Sequence, residues 1–216
     1  MAYVAPTVRS VGDAVTAADY NIAANSIIAI EDDYAIEKIA SNTFSAVTTF
    51  NVDNIFTSTY ARNYIINISW NNTNASSSGN NFNFGLRTAS ANYTDGHYYN
   101  NLRVNGAGTV TGFGGTNAAS WMLTSTTGNQ AGPYSNMVTV NLGGAVGIAP
   151  YLGTTNPSNA TATWACSSGF YTANNDFVTG SGVVTSSGNT AMGFRFFCNN
   201  VAGTISGRYD VYAYRV

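Results

Sequence analysis

From Ser45 to the end of this chain, apolar and polar residues alternate with period two, and that pattern commits the segment to β structure. Nine stretches read as strands: Val47–Phe56, Tyr64–Trp70, Phe82–Thr88, His97–Asn105, Trp121–Ser125, Met137–Leu142, Thr161–Cys166, Ala191–Cys198 and Thr204–Tyr214. Successive side chains of a strand point to opposite faces, so each stretch offers one apolar face to a core. Turn formers separate the strands at Asn71–Asn81, Asn105–Gly108, Gly112–Asn117, Thr127–Gly132, Gly153–Asn159 and Thr179–Gly188. Eight or nine short strands with no second helix describe an antiparallel sandwich or barrel. The last strand is the clearest: Ile205, Tyr209, Val211 and Ala213 share one face, and Arg208, Asp210, Tyr212 and Tyr214 share the other. The first face belongs to a core and the second to solvent or a partner.

Charge is the scarce ingredient. Only 8% of the 216 residues are charged and the net charge is −2, against roughly 25% in an ordinary domain. A nucleic-acid binder needs many cations to meet phosphates, and none cluster here. The longest apolar stretch falls well short of the ~20 residues of a membrane span, and the amino terminus lacks a signal peptide's basic flank and apolar run. In place of charge stand 28 Asn, 26 Thr, 20 Ser and 22 Gly, with a single Lys and a single Gln. A surface of amides and hydroxyls is solvated without long-range repulsion between copies, which suits crowded assemblies. Cys166 and Cys198 are too few for a disulfide framework and read as two buried free thiols.

The amino-terminal 45 residues differ from the rest. Seven of the ten acids lie in the first 53 residues. Residues 1–12 read as an extended arm. Gly12-Asp13 forms a turn, Thr16-Ala17-Ala18-Asp19 has the shape of a capping box, and no Gly or Pro interrupts the run to about Ala40. Tyr20, Ala23, Ile27, Ile30 and Tyr34 recur at 3-4-3-4 spacing and line one face of a helix. That helix either packs on its own domain or meets copies of itself. With Val4, Val8 and Ile22, these residues form the candidate attachment and oligomerisation surface. The expected organisation is an arm and helix over 1–45 and a β-domain over 46–216.

The opening Pro6-Thr7-Val8-Arg9, followed by Gly12-Asp13-Ala14-Val15-Thr16-Ala17-Ala18-Asp19-Tyr20-Asn21 and an Ile/Ala-rich helix, resembles the amino termini of tailed-bacteriophage virion proteins. The body resembles the β-sandwich of phage tail-fibre, head-fibre and minor structural proteins. Three segments carry this: Phe56-Thr57-Ser58-Thr59-Tyr60-Ala61-Arg62-Asn63-Tyr64-Ile65-Ile66, Phe84-Gly85-Leu86-Arg87-Thr88, and Gly203-Thr204-Ile205-Ser206-Gly207-Arg208-Tyr209-Asp210-Val211-Tyr212-Ala213-Tyr214-Arg215. The resemblance implies a mainly β fold: an antiparallel, jelly-roll-like β-sandwich preceded by the arm and one α-helix. It further implies a virion structural protein assembled in the host cytoplasm, self-associated as a trimer and bound to other virion proteins, foremost the major capsid protein. The long shaft of a tail fibre is missing, which favours a compact capsid decoration over a fibre.

Chemistry is thin. His97 is the sole histidine, and Asp95-Gly96-His97 reads as a loop-to-strand turn near the surface with no third member of a triad. Glycan cleavage calls for two carboxylates flanking the bond. The β-domain holds Asp53, Asp95, Asp176 and Asp210 and no Glu. Gly112-Phe113-Gly114-Gly115 and Gly143-Gly144 lack the Lys and helix of a phosphate loop and read as turns or bends. The expectation is therefore no enzyme, no metal and no cofactor. Host glycan binding is the competing function, because Tyr93, Asp95, His97, Tyr98 and Tyr99 cluster in one segment and Trp121 adds an aromatic surface.

Overall fold

The computed structural model describes residue 21 and residues 36–56, 63–72, 81–104, 108–124, 134–144, 160–169, 176–185, 191–199 and 204–214. The chain is mainly β, and every strand pairing is antiparallel. The strands are β1 (Ile36–Val47), β2 (Thr49–Val52), β3 (Asn63–Asn72), β4 (Phe82–Arg87), β5 (His97–Val104), β6 (Val110–Ala118), β7 (Trp121–Met122), β8 (Tyr134–Gly144), β9 (Ala160–Gly169), β10 (Asp176–Val184), β11 (Gly193–Cys198) and β12 (Ile205–Tyr214). They form an eight-stranded sheet, β1-β12-β3-β8-β9-β10-β5-β6, and a four-stranded sheet, β2-β11-β4-β7.

The core lies where the sheets face each other. Tyr64, Ile66, Ile68 and Trp70 of β3 are all buried, as the alternation requires, and so are Val138, Val140 and Leu142 of β8. Ring contacts cross the gap: Trp70 meets Phe82 at 4.8 Å and Phe196 at 4.7 Å, both edge-on, and Phe50 stacks on Tyr209 at 5.4 Å. Trp121 is fully buried, 5.8 Å from Trp164 and 5.1 Å from His97. Each such ring removed from water contributes about 2–3 kcal/mol. All six residues of β4 are buried, so this strand is covered on both sides. On its far side Arg195 lies across Gly85, its guanidinium over the Phe197 ring at 4.4 Å, and Arg87 forms a bidentate pair with Asp53 and a bond to Asn92. β1 bulges at Ala46, whose φ is 52° and whose N–H donates to Ser206 Oγ at 2.9 Å, and the chain leaves for the small sheet after Val47, which still pairs with Ile205.

Three strands depart from the sequence reading. The helix expected to run to about Ala40 gives way to β1 from Ile36, so residues 36–45 belong to the large sheet instead of the arm-and-helix segment. Ile36, Ile39, Thr43 and Phe44 suit a pleated surface, and β12 supplies a ladder from Tyr214 to Ile205. Helix propensity differs by only a few tenths of a kcal/mol per residue, and such a ladder outweighs it. β6 and β10 occupy stretches read as turn clusters on the strength of their glycines. Several of those glycines are packing sites: a Cβ at Gly114 would fall 2.6 Å from the Tyr99 carbonyl oxygen, and one at Gly115 only 2.5 Å from the Tyr99 ring. Gly143 and Gly144 likewise lie within β8.

Cys166 on β9 and Cys198 on β11 are buried thiols that form no disulfide. Burial pushes the Cys166 thiol up to about 12. We expect neither thiol to react with a charged, water-soluble disulfide reagent in the native protein, and both to titrate in denaturant. Fast native-state reaction at either thiol would contradict this packing.

Candidate functional site

The aromatic segment singled out for glycan binding turns out to build the core. Tyr93, His97, Tyr99 and Trp121 are buried, and a fully enclosed ring has no face for a sugar. Of the six candidates only Asp95 and Tyr98 are exposed. His97 is wholly buried instead of lying near the surface. Its Nε2 accepts the Leu86 N–H at 3.3 Å, which places the ring proton on Nδ1, within 3.1 Å of the Ala118 carbonyl and 3.3 Å of the Asp95 carbonyl. Burial lowers its pKa to about 4; nearby Arg195 lowers it further, while the two carbonyl bonds and Asp95 oppose the shift. This neutral imidazole ties β4, β5 and β6 together.

Among the aspartates, Asp53 and Asp210 hold different cations. Asp53 holds Arg87, with 2.6 Å between Arg87 Nε and Asp53 Oδ1. Asp210 receives Arg208 Nη2 at 2.9 Å and Lys38 Nζ at 3.1 Å. Hydrogen bonds from Arg208 and Ser41 hold its carboxyl well below the usual carboxylate range. Asp95 is exposed beside the positive-φ Gly96, and Asp176 opens β10.

The large sheet's outer face is the most distinctive surface. One row of outward residues runs Lys38, Tyr212, Ile65, Asn141, Thr163, Ser181, Asn100, Gly114. The next runs Ser41, Asp210, Asn67, Thr139, Ala165, Thr179, Leu102, Gly112. From β3 through β6, six adjacent strands present no charged side chain on this face among the residues whose side chains are described. The seven large apolar side chains exposed among the described residues are Ile36, Tyr98, Leu102, Val110, Met137, Phe177 and Tyr214, and all lie here. At one end of the face Asn63, Ile65, Asn141, Thr161, Thr163 and Tyr214 line an open cavity of about 310 Å³. The sequence reading gave Tyr212 and Tyr214 an outward face but missed this cavity. Its other walls come from β3, β8 and β9, and only strand order brings these beside β12.

Val4, Val8, Tyr20, Ile22, Ala23, Ile27, Ile30 and Tyr34, with the arm and helix they belong to, lie outside the described residues. Asn21, described alone there, is helical. Among the described residues no helix is long and apolar enough to cross a membrane. No family model, curated protein or solved structure matches this chain.

Proposed function

We propose that this chain is a non-enzymatic structural protein of a tailed-phage virion, a capsid decoration or cement protein displaying a jelly-roll-like β-sandwich on the particle surface. The residues before β1 act as the arm and helix that fasten it to the major capsid protein and to its own copies, as a trimer. The observation that carries this reading is the wide sheet face free of charge across six strands, since copies can crowd side by side at little electrostatic cost. Strand order supports the jelly roll. Apart from the hairpins β5–β6 and β9–β10, the large sheet reads β1-β12-β3-β8 and the small one β2-β11-β4-β7. Between consecutive strands of these eight the chain crosses from sheet to sheet at every connection but β4–β7, the nested pattern of a double Greek key.

The test is loading of purified protein onto capsid shells that lack it. Saturable binding at lattice stoichiometry is expected, together with hundreds of copies per particle on a stained gel. Removing residues 1–35 should abolish loading and leave the β-domain folded. The cut belongs at 35 because one at 45 would strip most of β1 from β12. Full loading by the shortened chain would overturn the attachment role.

The cavity beside Tyr214 favours a second reading, a receptor-binding head or tail fibre module that recognises host surface glycans. An exposed phenol ring beside amides and hydroxyls suits a neutral sugar, and the volume is at the small end for ligand sites. Failure on shells with saturable binding to host cells would favour this reading.

A further inference from the structure

The outer face of the large sheet is neutral across most of its width and apolar at both ends. Its middle rows, from β3 to β10, hold only Asn, Thr, Ser, Ala and Ile. Toward one end of the strands, Phe177 and Val110 stand 46% and 58% exposed, in a row with Met137. Toward the other stand Ile36, Tyr214 and Tyr98. A soluble surface has no use for its large apolar side chains gathered on one face.

We propose that this face is a contact between two copies of the chain, packed sheet against sheet about a two-fold axis. Three observations select a second copy as the occupant. The face is complementary to itself: either two-fold lying in its plane sets the end rows, which carry six of the seven exposed apolar side chains together with Arg208, on end rows, and the neutral stretch of the middle rows from β3 to β10 on middle rows. Its few charges are balanced locally, because Asp210 lies between Lys38 and Arg208 and bonds to both, so no like-charge barrier keeps copies apart. Eight strands at about 4.8 Å spacing and four outward rows offer on the order of 1,000 Å², and a stable pair needs about 800 Å² from each partner. The contact goes beyond the proposed function: it does not use the segment before β1, and it holds or fails independently of shell loading.

Full-length Ala165→Cys and Asn51→Cys variants, treated with a flexible bis-maleimide, test the contact. Ala165 is exposed near the middle of the face, and Asn51 is exposed on the small sheet. The expected result is covalent dimer from Ala165→Cys and monomer from Asn51→Cys. Adding Thr163→Arg, or separately Phe177→Lys, should weaken association measured by sedimentation on the order of a hundredfold and remove the cross-link. Both positions are exposed, so an unchanged circular dichroism spectrum confirms that the variants are folded. A trimer held through the segment before β1 is indifferent to these substitutions, whereas absence of a cross-link through Ala165, or an Ala165 cross-link that survives both of them, overturns the proposal. So does a monomer that binds neutral oligosaccharide beside Tyr214, which would assign the face to sugar.

Discussion

Gly180→Ala is expected to destabilise the protein by about 3 kcal/mol, through overpacking and loss of a buried hydrogen bond together. Gly180 pairs with Trp164 of β9 on one side and Asn101 of β5 on the other. The indole lies across it, so that Trp164 Nε1 donates to Asn101 Oδ1 at 2.7 Å. Asn101 Nδ2 in turn donates to the Met122 carbonyl at 2.7 Å. A Cβ at Gly180 would fall 1.9 Å from Asn101 Oδ1 and 2.5 Å from Trp164 Nε1. Nothing flexible can move aside, since both atoms belong to buried side chains bonded to each other. For a domain of this size the melting temperature should fall by roughly 6–12 °C. Ser181→Ala, on the exposed face of the same strand, should stay within about 0.5 kcal/mol. Equal, small effects from the two substitutions would show that the indole does not lie over Gly180.

The second large effect is a loss of stability on mild acidification, carried by His97. Its pKa is about 4 in the fold and ~6.5 in an unfolded chain. Between those values the unfolded state binds a proton that the folded state excludes, so stability rises with pH across that window. The contribution is complete above pH 6.5 and is lost as pH falls toward 4, by about 3 kcal/mol in all. Urea unfolding at pH 7, 5.5 and 4.5 measures it. His97→Gln should be less stable at pH 7, because the Leu86 and Ala118 bonds are disturbed, yet nearly flat across the same window. A variant as pH-sensitive as the wild type would place the proton uptake elsewhere. Asp210 does not confuse the result: its pKa is depressed, so what it contributes is lost only as pH falls through the ordinary carboxylate range and below, under the window of His97.

These two sites show where sequence reading reaches and where it stops. The strands rich in β-branched and aromatic residues, β3, β4, β5, β8, β9, β11 and β12, are visible in the alternation because each carries its own apolar face. β10 and β6 are not, because what makes Gly180 or Gly115 belong in a strand is a ring projecting from the neighbouring strand. Glycine read alone signals a turn; glycine beneath Trp164 is a packing residue. The cluster Tyr93–Tyr99 shows the same limit. Alternation placed Tyr98 and Tyr99 on opposite faces, and Tyr99 is buried while Tyr98 is exposed. It could not say that Tyr93, His97 and Trp121 converge in the core, where a sugar has no access.

By itself the sequence determined the β class, the antiparallel pairing style, the inward and outward faces of β12 and the scarcity of charge. All of these follow from local periodicity and composition. Tertiary structure alone decided that residues 36–47 join the sheet, that His97 is a buried neutral link and that the exposed apolar side chains share one face. Each of those outcomes depends on which strands become neighbours. Strand order is set by the summed packing of residues far apart in the chain, so no single window of sequence contains it.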